Sequence, residues 1–131
     1  MRYLLDTHVW LWGLVEPERM KAATRRRIED GANELWLSPI SVWELGLLAD
    51  RGRVELDAEA GAWARDALAS SGVREATLNH EVALESRLVR LPHPDPADRF
   101  LAATARVYEL TLVTADRRLL EARACRTLSA R

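Results

Sequence analysis

The chain is predicted to be an α/β protein whose central parallel sheet is flanked by helices on both faces. Two observations carry that expectation. Short apolar runs, RYLL at 2–5, ELWL at 34–37 and TLVT at 111–114, alternate with longer helical patterns. The connections between them are too short to be linkers. Strands alternating with helices imply βαβ units, whose parallel strands are buried on both sides. At 131 residues, 48% apolar and 30% charged, residues 1–131 are read as one ordinary soluble domain.

Each element follows from local chemistry. RYLL reads as a strand that enters a loop at Asp6. Pro17 opens a helical pattern to about Glu29, with a basic back half, closed by Asp30-Gly31. ELWL is a second strand. Ser38-Pro39 then supplies an N-cap and a proline at the first helical position, starting a helix that stops near Arg51-Gly52. An alanine-rich helix over about 58–70 ends at Ser70-Ser71-Gly72. REATL (74–78) is a candidate strand, and Asn79 caps a helix to about Val89. LPHPDP is a loop with three prolines, from which a helix rises over about 96–109. TLVT follows, Asp116 caps a short last helix, and RTL (126–128) is the candidate final strand.

Composition excludes several classes. No stretch approaches the roughly 20 apolar residues of a membrane span. The opening MRYLLDTHVWLWGL is too short for a signal peptide, and Asp6 and His8 break its apolar run. Cys125 is the only cysteine, which excludes an internal disulfide or a thiolate metal cluster. A cytoplasmic location is the default expectation. The net charge of −1 does not advertise a nucleic-acid binder. The basic residues are nevertheless eighteen arginines and one lysine, Lys21, and arginine suits bidentate phosphate contact. The run Arg25-Arg26-Arg27 reads most simply as a solvated helix face.

Ligands of open α/β sheets bind at the carboxyl ends of the strands, so acids at strand ends are the ones to weigh. Asp6 follows RYLL directly, and Asp116 follows TLVT after one alanine. The plain alternatives are a loop acid for Asp6 and a helix N-cap for Asp116. Glu44 lies within SPISVWELGLLADRG, where Ile40, Trp43, Leu47 and Leu48 form an apolar stripe. A lone carboxylate there costs several kcal/mol or stays protonated, unless it meets a cation or escapes to solvent. In PDPADR, Asp95 before Pro96 reads as a cap, whereas Asp98 falls in the first turn, where the helix dipole favours it. Asp6, Glu44, Asp98 and Asp116 therefore come from separate elements that can meet on one rim. Four crowded carboxylates repel unless a divalent cation neutralises them, and all-oxygen ligation points to Mg²⁺ or Mn²⁺. Such an ion lowers the pKa of bound water and offsets charge developing on a phosphodiester. Hydroxyls lie near the acids: Thr7 beside Asp6, Ser41 three before Glu44 and Thr114 two before Asp116. They suit positions that orient carboxylates and water, although Thr114 equally reads as a β-branched strand end.

Three segments, YLLDTHVWLW, SPISVWELGLLADRGRVEL and LPHPDPADRFLAATARVYELTLVTAD, resemble the PIN-domain nucleases, and among them the VapC-type toxins of toxin–antitoxin pairs. The likeness runs from about residue 2 to 128. The resemblance implies a PIN-like three-layer sandwich and metal-dependent endoribonuclease activity on RNA. It assigns the acidic quartet to Asp6, Glu44, Asp98 and Asp116, and the supporting hydroxyl to Thr114. It also implies a homodimer, and a VapB-type antitoxin that inserts a segment into the groove and often places an arginine among the acids. Asp95 and Arg99 match a DPxDR variant of the pattern; Arg99 is expected to lock Asp95 or, less simply, to reach a substrate phosphate.

Two other readings carry less. A phosphatase or phosphoryl-accepting receiver with Asp6 as nucleophile wants a lysine near the last strand, and a haloacid-dehalogenase site wants an acid where His8 stands. No GxxxxGK[ST] loop occurs. The remaining alternative is a catalytically silent PIN-like scaffold that binds RNA or protein. His8, His80 and His93 show no spacing that suggests zinc or a general base.

Overall fold

A computed structural model describes residues 1–131. Five strands, β1 (Arg2–Leu5), β2 (Glu34–Leu37), β3 (Arg74–Glu75), β4 (Thr111–Thr114) and β5 (Thr127–Ser129), form one sheet in the order β3-β2-β1-β4-β5. Every pairing is parallel. Seven helices connect them: α1 (Thr7–Val15), α2 (Ala22–Glu29), α3 (Pro39–Asp50), α4 (Ala60–Ser71), α5 (His80–Ser86), α6 (Pro96–Val107) and α7 (Arg117–Ala122).

The strand residues show both faces covered. Along β1, Tyr3 and Leu5 belong to a core built with Val9, Trp10, Leu45 and Ala64, so α1, α3 and α4 lie on that face. Leu4 joins Leu101, Ala105 and Leu119 on the other, beneath α6 and α7. β4 alternates likewise, with Val113 in the first core and Leu112 in the second. Leu4, Leu101 and Leu112 have no exposed surface, and each such burial stabilises the fold by about 1.5–3 kcal/mol. This is the predicted three-layer architecture.

The caps read from the sequence do form. The Ser38 side chain accepts from the Ile40 N–H ahead of Pro39, Asn79 from Val82, Asp95 from Ala97 and Asp116 from Arg118.

Other elements differ from expectation. The loop expected after Asp6 is α1, a helix buried through Thr7, Val9, Trp10, Leu11 and Trp12. Its buried residues run in succession from Val9 to Trp12 and its exposed end carries the apolar Leu14 and Val15, so no helical period marks it. The helix expected from Pro17 is a 3-10 turn, Pro17–Arg19, followed by the separate α2. REATL pairs over only two residues, α5 stops at Ser86, and the last strand lies one residue later than expected. On α3, Trp43 is 58% exposed and Leu45 is 1% exposed, so the buried face runs through Ser41 and Leu45 and not through Trp43.

Strand order places the site. From β1 the chain moves outward to β2 and β3, then returns to β4 on the opposite side of β1. The connections therefore diverge between β1 and β4, opening a crevice at the carboxyl ends of these two strands.

Candidate active site

Asp6 and Asp116 stand at that crevice. The Asp6 N–H donates to the Val113 carbonyl at 3.0 Å, which ties the end of β1 to β4. Although Asp6 begins α1, its side chain makes no capping bond. Thr114 engages it instead: Oγ1 donates to Asp6 Oδ2 at 2.7 Å and accepts from the Asp116 N–H at 3.0 Å. Thr114 is fully buried, so one hydroxyl fixes two acids from adjacent segments.

The other two acids arrive on helices. Glu44 lies on α3, where the buried Thr7 hydroxyl donates to its Oε1 at 2.7 Å. Asp98 is in the first turn of α6 and only 8% exposed, while the neighbouring Asp95 supplies the cap. His93 Nε2 lies 2.8 Å from Asp98 Oδ2. All four acids, together with Asp95, line one cleft of about 520 Å³ that His8, Trp12, Arg51, Arg53 and Arg118 also border.

Their protonation reflects this crowding. Burial pushes Asp6 above its ordinary value, against the Thr114 hydrogen bond, and Asp116 adds repulsion. Burial raises Glu44 to about 7, with Thr7 opposing and Asp6 and Asp98 reinforcing the rise. Asp98 is raised by burial and by the neighbouring aspartates, against its bond to His93. Asp116 behaves oppositely. Burial alone would raise it, but the Arg118 side-chain and backbone bonds prevail and lower it. The Arg118 guanidinium grips both Asp116 oxygens, with Nη2–Oδ2 at 3.0 Å and Nε–Oδ1 at 3.3 Å.

The acids share a cleft without pointing at one centre. No group of three or more His, Cys, Asp or Glu side chains is arranged to hold an ion. Each carboxylate turns to its own donor: Thr114, Thr7, His93 or Arg118. The donor set still fits a hard divalent cation: it is all oxygen, and burial and mutual repulsion disfavour the charge on Asp6, Glu44 and Asp98 that a cation would offset.

The remaining expected residues behave unevenly. Ser41 is fully buried, but its Oγ makes no hydrogen bond, so it orients none of the carboxylates. Arg99 neither locks the Asp95 side chain nor faces the cleft. Its guanidinium donates to the Ser86 and Val89 carbonyls and ties the end of α5 to α6. His93 joins Asp98 although no metal-type spacing includes it. The proline-rich turn of PHPDP, which folds it back over Asp98, was the available signal. The contact of Arg118 with Asp116 follows from an exposed guanidinium two residues after an N-cap, a spacing too common to single out.

The comparisons agree with one another. A model of the PIN domain family matches residues 3–124. The chain is 38% identical to Ribonuclease VapC22 of Mycobacterium tuberculosis over 117 residues, 88% of each chain. Its fold is similar to a chain of VapBC2 from Rickettsia felis bound to a promoter DNA fragment, with a TM-score of 0.72 at 14% identity and 98% of each chain covered. DNA-bound VapBC from Salmonella typhimurium gives a TM-score of 0.72 at 19% identity, covering 100% of this chain and 99% of that one.

Proposed function

This chain belongs to the PIN-domain family, and from that premise we propose that it is a metal-dependent endoribonuclease, the toxin of a VapBC-type pair. Asp6, Glu44, Asp98 and Asp116 hold a Mg²⁺ ion, which Mn²⁺ can replace, and RNA is the substrate. One observation carries this reading: four acids from four separate segments line a single cleft where the parallel sheet divides. The 38% identity to a ribonuclease supports the activity, and the VapBC neighbours support a VapB-type antitoxin partner. The family likeness also supports a homodimer acting in the cytoplasm.

When bound, the cation supplies a water of lowered pKa and offsets charge on the phosphodiester. The chain's own residues prepare the place for it. Thr114 fixes one oxygen of Asp6 and the backbone of Asp116, and Thr7 fixes one oxygen of Glu44. These bonds limit the side-chain freedom lost when the acids converge. The first turn of α6 favours negative charge at Asp98.

Brief induction of the chain alone in a bacterial host is expected to slow growth and produce new RNA 5′ ends. The Asp116→Asn form should do neither. Sequencing of those ends checks it. Growth arrest of equal depth in both forms, without new ends, would assign the chain to the silent scaffold class.

A further inference from the structure

We propose that Arg51 and Arg53, at the end of α3, are the phosphate contacts that hold the RNA strand across the acidic cleft. This rests on the ribonuclease reading for the identity of the strand, but the observations are independent of it. A polyanion approaching Asp6, Glu44, Asp95, Asp98 and Asp116 meets repulsion, and the net charge of −1 offers no general attraction. Only three arginines line the cleft. Arg118 is paired with Asp116 and, where a cation displaces it, still stands at the acids and not beyond them. Arg51 and Arg53 are exposed, and neither guanidinium forms an ion pair or hydrogen bond with the protein.

Their backbone is nevertheless fixed. The Arg51, Gly52 and Arg53 N–H groups donate to the carbonyls of Leu47, Ala49 and Leu48 at 3.0, 3.1 and 2.9 Å. Gly52 takes the left-handed conformation that closes such a helix end, with φ +66°. Arg51 follows Glu44 by seven residues, two turns on the same face, or about 10 Å along the axis. A single rigid helix therefore carries a proposed metal-binding acid and, beyond it, a free cation. The cleft adjoins a second groove of about 420 Å³ that shares His8, Trp12, Leu48 and Arg53; there Arg19 pairs with Glu16, and Glu55 also lines the wall, so Arg53 is its free cation. Acids with the free cations Arg51 and Arg53 on the same cleft match a strand whose attacked phosphate sits at the acids and whose neighbouring phosphates sit at these two arginines.

Binding of fluorescein-labelled oligouridine, followed by anisotropy in Mg²⁺ across a salt series, tests this. An Asp6→Asn background keeps the strand intact, and phosphate contacts need no particular sequence. Added to that background, the Arg51→Gln/Arg53→Gln double variant should bind on the order of tenfold more weakly at low salt, with a salt slope shallower by about 1.4. The double lysine variant should retain the slope, and Arg25→Gln/Arg26→Gln on α2 should change nothing. With Asp6 intact, the glutamine variant should raise KM and leave kcat in place, because these contacts bind substrate and transition state alike. An unchanged affinity and slope would overturn the proposal and leave these arginines to a protein partner, as would absence of binding by the background protein. Slope-dependent binding without any cleavage by the Asp6-intact protein would sink the ribonuclease reading while leaving the phosphate contacts standing.

Discussion

Asparagine in place of Asp6 is expected to lower RNA cleavage on the order of 10²–10³-fold or more while raising the melting temperature of the metal-free protein. The two effects share one cause. Asp6 directly follows β1 and its N–H is bonded to β4, and burial already disfavours its charge. Asparagine keeps the shape and can still accept from Thr114 Oγ1, so the local packing survives. What disappears is the negative charge, which costs stability in the apo-protein and which a divalent cation requires. Cleavage of a labelled RNA in Mg²⁺, beside a melting curve in chelator, reads both. Near-parent cleavage by the variant would remove Asp6 from the chemistry. A lowered melting temperature would mean that its charge is already compensated within the chain.

Glutamine at Glu44 is expected to remove much of the pH dependence of stability in chelator. The folded protein holds Glu44 at about 7, against an ordinary value of 4.5. A raised acid contributes stability that is complete below 4.5 and lost as pH climbs through about 7. The parent should therefore melt at progressively lower temperature across that interval, and the glutamine form should decline less. Asp6 and Asp98, also raised, push in the same direction and leave a residual slope. Asp116, lowered by Arg118, acts in the opposite sense at acid pH. Above pH 7 a divalent cation should recover stability in the parent more than in Glu44→Gln. Thermal unfolding over a pH series checks this, and parallel curves for the two proteins would show that Glu44 is not the titrating group.

Much of this was legible in the sequence, because punctuation residues and charges leave local marks. Ser38-Pro39, Asn79, Asp95-Pro96 and Asp116 announced four helix starts, and each cap forms. Asp6, Asp98 and Asp116 could be placed on one rim from strand ends and a first turn, Glu44 was marked by its apolar stripe, and all four line one cleft. What escaped depends on tertiary neighbours. Helix α1 buries Val9, Trp10, Leu11 and Trp12 in succession and exposes the equally apolar Leu14 and Val15, so its apolar residues carry no period. Trp43 and Leu45 are both apolar, and only the position of the sheet decides that Leu45 turns inward. Ser41 and Arg99 have plausible local chemistry, but the nearest partners are absent for one and are backbone carbonyls for the other. His93 and Arg118 meet acids through a turn and a short helix whose side-chain directions no spacing rule specifies.

Crystals of the protein soaked in Mn²⁺ and measured for anomalous scattering test the central claim most directly. A peak inside the cleft, about 2.0–2.2 Å from carboxylate oxygens of at least two of Asp6, Glu44, Asp98 and Asp116, is the expected result, with Arg118 turned away from Asp116. A cleft without a peak at saturating Mn²⁺, with Arg118 still gripping Asp116, would contradict it.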